Sequence, residues 1–112
     1  EVLFRSEAVL AAGPSLDSEK QSLLDKLQFR IKSVLKGRRS KYILMNVPND
    51  SIDTISSILP VLKSPTIMPL AASGWSSLHS VIDEGTFWEV IDQLKAAGAQ
   101  DILVCPIEKM VL

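Results

Sequence analysis

Leu62-Lys-Ser-Pro-Thr-Ile-Met-Pro-Leu-Ala-Ala-Ser-Gly-Trp-Ser-Ser-Leu-His-Ser-Val81 decides how the chain folds, because it carries a polar loop into two short strands. Pro65 and Pro69 stiffen the approach, and the small-residue run Ala71 to Gly74 lets the backbone double back as a hairpin. Pro65 to Leu70 and Trp75 to Ile82 are the predicted hairpin strands. Ser64, Thr66, Ser76, Ser77, His79 and Ser80 set hydrogen-bonding groups along this stretch without forming a catalytic trio. Such a set suits holding a small polar ligand better than breaking a bond.

Upstream of the hairpin, Lys41 to Val47 alternates Ile43, Met45 and Val47 with Tyr42, Leu44 and Asn46, the period of a strand. Asp50 or Ser51 then caps a short helix whose Ile52, Ile55, Ile58 and Leu59 share one side until Pro60 stops it. Downstream, Thr86 with Glu89 reads as a capping box opening a helix with Phe87, Val90, Ile91 and Leu94 inward and Gly98 at its end. Asp101 to Ile107 is a last strand. The order from Lys41 is strand, helix, strand, strand, helix, strand. It predicts an α+β, ferredoxin-like βαββαβ sandwich, an antiparallel sheet with two helices on one face. The other face, carrying Leu44 and Met68, is left uncovered, so self-association is expected.

Ahead of this unit, Val2 to Ala12 reads as a strand closed by Gly13-Pro14. From Asp17 the period changes: Leu23, Leu24, Leu27, Ile31, Val34 and Leu35 recur at helical spacing, with Ser18 and Gln21 as a capping box and Gly37 as the stop. Lys36, Arg38, Arg39 and Lys41 gather at the negative end of that helix, where the dipole favours them. The predicted division is therefore 1–37, a strand plus a long helix, and 38–112, the compact domain.

Composition narrows the function. The 112 residues are 46% apolar with a net charge of −1, enough for one modest core and no electrostatic reason to bind nucleic acid or an anionic membrane. No apolar run approaches the ~20 residues that span a bilayer. The lone Cys105, in the run Ile102-Leu-Val-Cys105, reads as a buried, inert thiol and suits a reducing, cytoplasmic setting. The chain opens at Glu1 rather than Met, as a fragment would. His79 is the single histidine, which excludes a metal site built from several imidazoles, and no zinc spacing exists.

The acids Asp50, Asp53, Asp83, Glu84, Glu89 and Asp92 fall in helix caps and on exposed helix faces. Neither a nucleophile elbow nor a glycine-rich phosphate loop is present. No catalytic and no metal residue is therefore assigned. An RNA-recognition reading would stack bases on Tyr42 and Trp75, but the basic aromatic motif it needs is missing. Trp88, beside Phe87, reads as a packing residue.

Several separated stretches together carry a resemblance: Lys41-Tyr-Ile-Leu-Met-Asn-Val-Pro48, Leu59-Pro60, Ser64-Pro-Thr-Ile-Met-Pro-Leu70, Gly74-Trp75, His79-Ser-Val81, Phe87-Trp88, Leu94-Lys-Ala-Ala-Gly-Ala99 and Ile102-Leu-Val-Cys-Pro-Ile-Glu-Lys-Met110. In this order they resemble the C-terminal regulatory domain of long-form ATP phosphoribosyltransferases, over essentially all of Arg39 to Leu112. Glu1 to Gly37 is similar to the last strand and linking helix of the catalytic region that precedes it in that family. The resemblance implies a parent glycosyltransferase that joins ATP to phosphoribosyl pyrophosphate with Mg2+, the first step of histidine biosynthesis, its chemistry lying upstream of this segment.

The domain itself, by similarity, would be an allosteric sensor. It would bind L-histidine between neighbouring copies and favour a feedback-inhibited hexamer. Matching positions point to Asn46, Leu62, Ser64, Thr66, Val81 and Asp101 as effector-binding, with His79 and Ser80 as further candidates. Hydroxyls of Ser64 and Thr66 can donate or accept, Asn46 can pair with the imidazole or the ammonium, and Leu62 with Val81 can flank the ring. The competing expectation is an oligomerisation module of the same fold that binds no effector.

Overall fold

The computed structural model describes residues 2–60 and 64–112. A long helix α1 (Ser18–Arg39) runs directly into strand β1 (Ser40–Pro48). A 3-10 turn (Asn49–Ser51) and helix α2 (Ile52–Ile58) follow, then the hairpin strands β2 (Thr66–Pro69) and β3 (Trp75–Asp83). Helix α3 (Glu84–Ala96) and strand β4 (Gln100–Pro106) complete the order. The four strands form one sheet in the order β2-β3-β1-β4, every neighbouring pair antiparallel. Thus β1 and β2 flank β3, and β3 and β4 flank β1.

Alternation along β1 puts Ile43, Met45 and Val47 on one side, all fully buried, with Ser80, Leu78 and Ser76 of β3 opposite them in register. Ile55 from α2 and Leu94 from α3 enter the same cluster, together with Leu59, Ile82 and Ala99. Both helices therefore cover this side. The hairpin closes through Gly74, whose φ of +83° is a backbone conformation that glycine adopts without a Cβ clash, and Leu70 N donates to Trp75 O at 3.0 Å. Gly98, at φ +103°, ends α3 as its sequence suggests.

Helix starts and the outer segments differ from the sequence expectation. Asp17, not Ser18, caps α1: its side chain accepts from Lys20 N at 2.8 Å, while Gln21 turns to Asp25. Asp83 caps α3 by accepting from Gly85 N at 3.0 Å, so Thr86 and Glu89 lie inside the helix. Neither Asp50 nor Ser51 makes a side-chain cap to α2; Asp50 lies within the 3-10 turn. In both long helices a carboxylate satisfies the free amides of the first turn, and its charge also suits the dipole.

Gly37 does not stop α1, which continues to Arg39. A Cβ there would lie 2.8 Å from the Glu108 carbonyl and Lys109 N, so the glycine makes room for the C-terminal tail. The tail is also tied to α1 where Met110 N donates to Ser33 O at 2.9 Å.

Val2 to Ala12 forms no strand and is exposed; among the described residues no sheet edge pairs with it. Cys105 is exposed rather than buried, since β4 is an edge strand and its side chain faces the uncovered side. Trp88 is 71% exposed and touches Phe87 edge-on instead of joining the core. No helix of the described residues is long and apolar enough to cross a membrane.

Candidate functional site

The side of the sheet away from the helices carries the chain's polar cluster. Because facing residues of paired strands project to the same side, the register assembles three cross-strand rows there. Met68, Ser77 and Asn46 make one row, and Thr66, His79, Leu44 and Leu103 the next. Val81, Tyr42 and Cys105 make the third. Neighbouring strands lie ~4.8 Å apart, so the rows form one continuous surface.

Polar contacts fix the middle of that surface. His79 sits between two hydroxyls: Tyr42 Oη is 2.7 Å from Nδ1 and Ser77 Oγ is 2.8 Å from Nε2. Tyr42 also meets the imidazole edge-on, with ring centroids 5.7 Å apart. Asn46 Nδ2 donates to Asp101 Oδ2 at 3.0 Å. Asp101 reaches Asn46 because the β1–β4 register shifts between Leu44 and Asn46, and Asp101 itself has φ +49°. A carboxylate acceptor, an amide, two hydroxyls and an imidazole thus stand beside apolar Leu44, Met68 and Leu103; the last two are 47% and 56% exposed.

Of the residues predicted from sequence, Asn46, Thr66, His79 and Val81 share this open face, with Asp101 at its rim. Ser64 is exposed in the approach to β2. Ser80 faces Ile43 on the helix-covered side and so stands apart from the others. Leu62 lies outside the described residues. Sequence reasoning missed Tyr42 and Ser77 as partners of His79. The alternation of β1 and the hairpin register together held the signal, since they put Tyr42, Ser77 and His79 on one face.

Among the described residues no group of three or more His, Cys, Asp or Glu side chains could hold a metal ion. The arrangement can accept and donate hydrogen bonds to a small zwitterion. Both ring nitrogens of His79 are engaged by hydroxyls, Tyr42 at Nδ1 and Ser77 at Nε2.

The family described as HisG, C-terminal domain, matches residues 37–109. An ATP phosphoribosyltransferase of Cytophaga hutchinsonii is 58% identical over 111 residues, 99% of this chain and 39% of that protein. One from Azobacteroides pseudotrichonymphae is 54% identical, and one from Bacteroides fragilis 51%, each over 112 residues, all of this chain and 40% of the relative. The chain thus spans about two-fifths of the length of the curated relatives it matches. Because the family match takes in more than half of the chain, the protein belongs to the HisG C-terminal domain family.

Proposed function

We propose that this chain is the feedback-sensing part of an ATP phosphoribosyltransferase, the first enzyme of histidine biosynthesis, and that it binds L-histidine where two copies meet. The observation that carries the reading is a sheet face with a polar cluster (Asn46, Asp101, Thr66, Ser77, His79) set among uncovered apolar side chains. That is half of a pocket, and a second copy would supply the other wall. On this reading the strand order is that of a ferredoxin-like domain spanning 38–112, with α1 as the link to a catalytic region. The catalytic transfer from phosphoribosyl pyrophosphate to ATP belongs to residues outside this chain in a cytoplasmic enzyme. The Mg2+ of that reaction is assigned with the catalytic residues; among the described residues no group of three or more His, Cys, Asp or Glu could hold a metal ion.

Inhibition then requires L-histidine to bind the inhibited hexamer better than the active arrangement, with a coupling of ~1–3 kcal/mol, about 5- to 150-fold in affinity. The exposed Met68 and Leu103 equally favour a second reading, a pure oligomerisation module. Calorimetric titration separates the two: saturation by L-histidine at a defined stoichiometry supports the sensor, and association without saturable heat supports the module.

Two predictions follow from the geometry. Thr66→Ala removes one hydroxyl next to His79 and is expected to weaken L-histidine binding by roughly three- to tenfold, the worth of a single hydrogen bond, with the fold intact. Unchanged affinity would take Thr66 out of the pocket. Cys105, exposed in the row of Tyr42, is expected to react with an uncharged thiol reagent without denaturant, and more slowly once L-histidine is added. Equal rates with and without the amino acid would move the contact between copies to another surface.

A further inference from the structure

The imidazole of His79 is saturated, and that constrains the hydroxyls around it. A neutral ring has one N–H and one lone pair, so of Tyr42 and Ser77 one must donate to it while the other accepts. A phenol is a stronger acid than an aliphatic alcohol and hence the better donor. That difference favours Tyr42 O–H as the donor to Nδ1, with Nε2–H donating to Ser77 Oγ. The two ends also differ in access: Tyr42 is 36% exposed and Ser77 only 9%. A ligand arriving on the open face meets Tyr42.

Resting on the effector reading above, we propose that Tyr42, His79 and Ser77 form a directional relay in which an amino-acid carboxylate docks at the Tyr42 hydroxyl and His79 changes tautomer in response. A carboxylate draws the phenolic proton outward, because an O–H bond to an anion is stronger than one to a neutral ring nitrogen. Nδ1 then needs its own proton in order to donate to Tyr42 Oη, and Nε2 gives up its proton and accepts from Ser77. One proton leaves Nε2 and one arrives at Nδ1, both exchanged with solvent, so the ring stays neutral and no net charge is moved. His79 acts as a positioning residue here, and Tyr42 makes the ligand contact. Binding is thereby registered on β3, the strand whose other face packs in the core.

His79 is the chain's single histidine, so biosynthetic 15N-imidazole labelling gives one ring to observe. The full chain is expected to show the Nε2–H tautomer alone and the Nδ1–H tautomer when saturated with unlabelled L-histidine. Tyr42→Phe, which keeps the ring, is expected to abolish the change and weaken binding roughly three- to tenfold. Calorimetric saturation with the tautomer unchanged would overturn the relay and leave the effector reading standing. Saturation failing altogether would overturn that reading, and a ligand-free ring already in the Nδ1–H form would overturn the resting polarity on which the relay depends.

Discussion

Leu78→Ala is expected to remove ~2–5 kcal/mol of stability, a large part of the ~5–15 kcal/mol that holds a domain of this kind together. Leu78 is fully buried between Met45 of β1 and Ile67 of β2, its partners in register, beneath the cluster formed by Ile55 and Leu94. Truncation leaves a cavity that two flanking strands and two helices cannot close together. Urea unfolding should show a lower midpoint with an unchanged slope. Leu103→Ala, on the uncovered face, should fall within about 0.5 kcal/mol of the parent chain. Were the two substitutions to cost the same, the helix-covered side would not be the core. The substitution also tests the site, since Ser77 and His79 are the sequence neighbours of Leu78 and project to the opposite side of the same strand.

The alternation that buries Leu78 was legible from the chain itself, and so was most of the sheet. Ile43, Met45 and Val47 declare their face by period alone, and Gly74 and Gly98 mark turns whose positive φ leaves few alternatives. The helix starts were harder because several capping residues lie within three positions of one another: Asp17 beside Ser18, and Asp83 ahead of Thr86. A charged cap supplies both an acceptor and a favourable dipole interaction, and it prevailed in both places. Cys105 misled for a different reason. The apolar run Ile102-Leu-Val looks buried on both sides, yet β4 is an edge strand and only one of its faces is covered. Val2 to Ala12 has the composition of a strand, but pairing is a property of two segments, and none of the described residues pairs with it.

The candidate site shows the same division between local and distant information. A one-residue step along β3 separates His79, on the open face, from Ser80, opposite Ile43, so the period-two rule alone parts them. The Tyr42–His79 contact joins residues 37 apart in sequence, and the Asn46–Asp101 contact residues 55 apart. The second of these further depends on a register shift. Alternation could suggest which face these residues occupy, but not that a bulge would bring the carboxylate back to the amide.

Gly37→Ala is the second substitution with a large expected effect, and its sign is decided by a competition. In an exposed helix interior alanine is better than glycine by ~1 kcal/mol, because it loses less backbone freedom on folding. At position 37 the added Cβ falls 2.8 Å from the carbonyl carbon and oxygen of Glu108 and from Lys109 N. These are backbone atoms and cannot rotate aside as a flexible side chain would. The tail must shift bodily, and with it the Met110 N to Ser33 O bond one turn earlier on α1. Overpacking of this kind typically costs ~1–3 kcal/mol, which exceeds the propensity gain at all but its lower end. The tail is a further attachment of α1, which runs into the sheet where Arg39 meets Ser40. Gly37→Ala is therefore expected to lower the urea midpoint, keep the helical circular dichroism, and speed hydrogen exchange at the Met110 amide. Increased stability with that amide still protected would show that the tail does not clasp the helix, and that Gly37 serves neither as a stop nor as a passage.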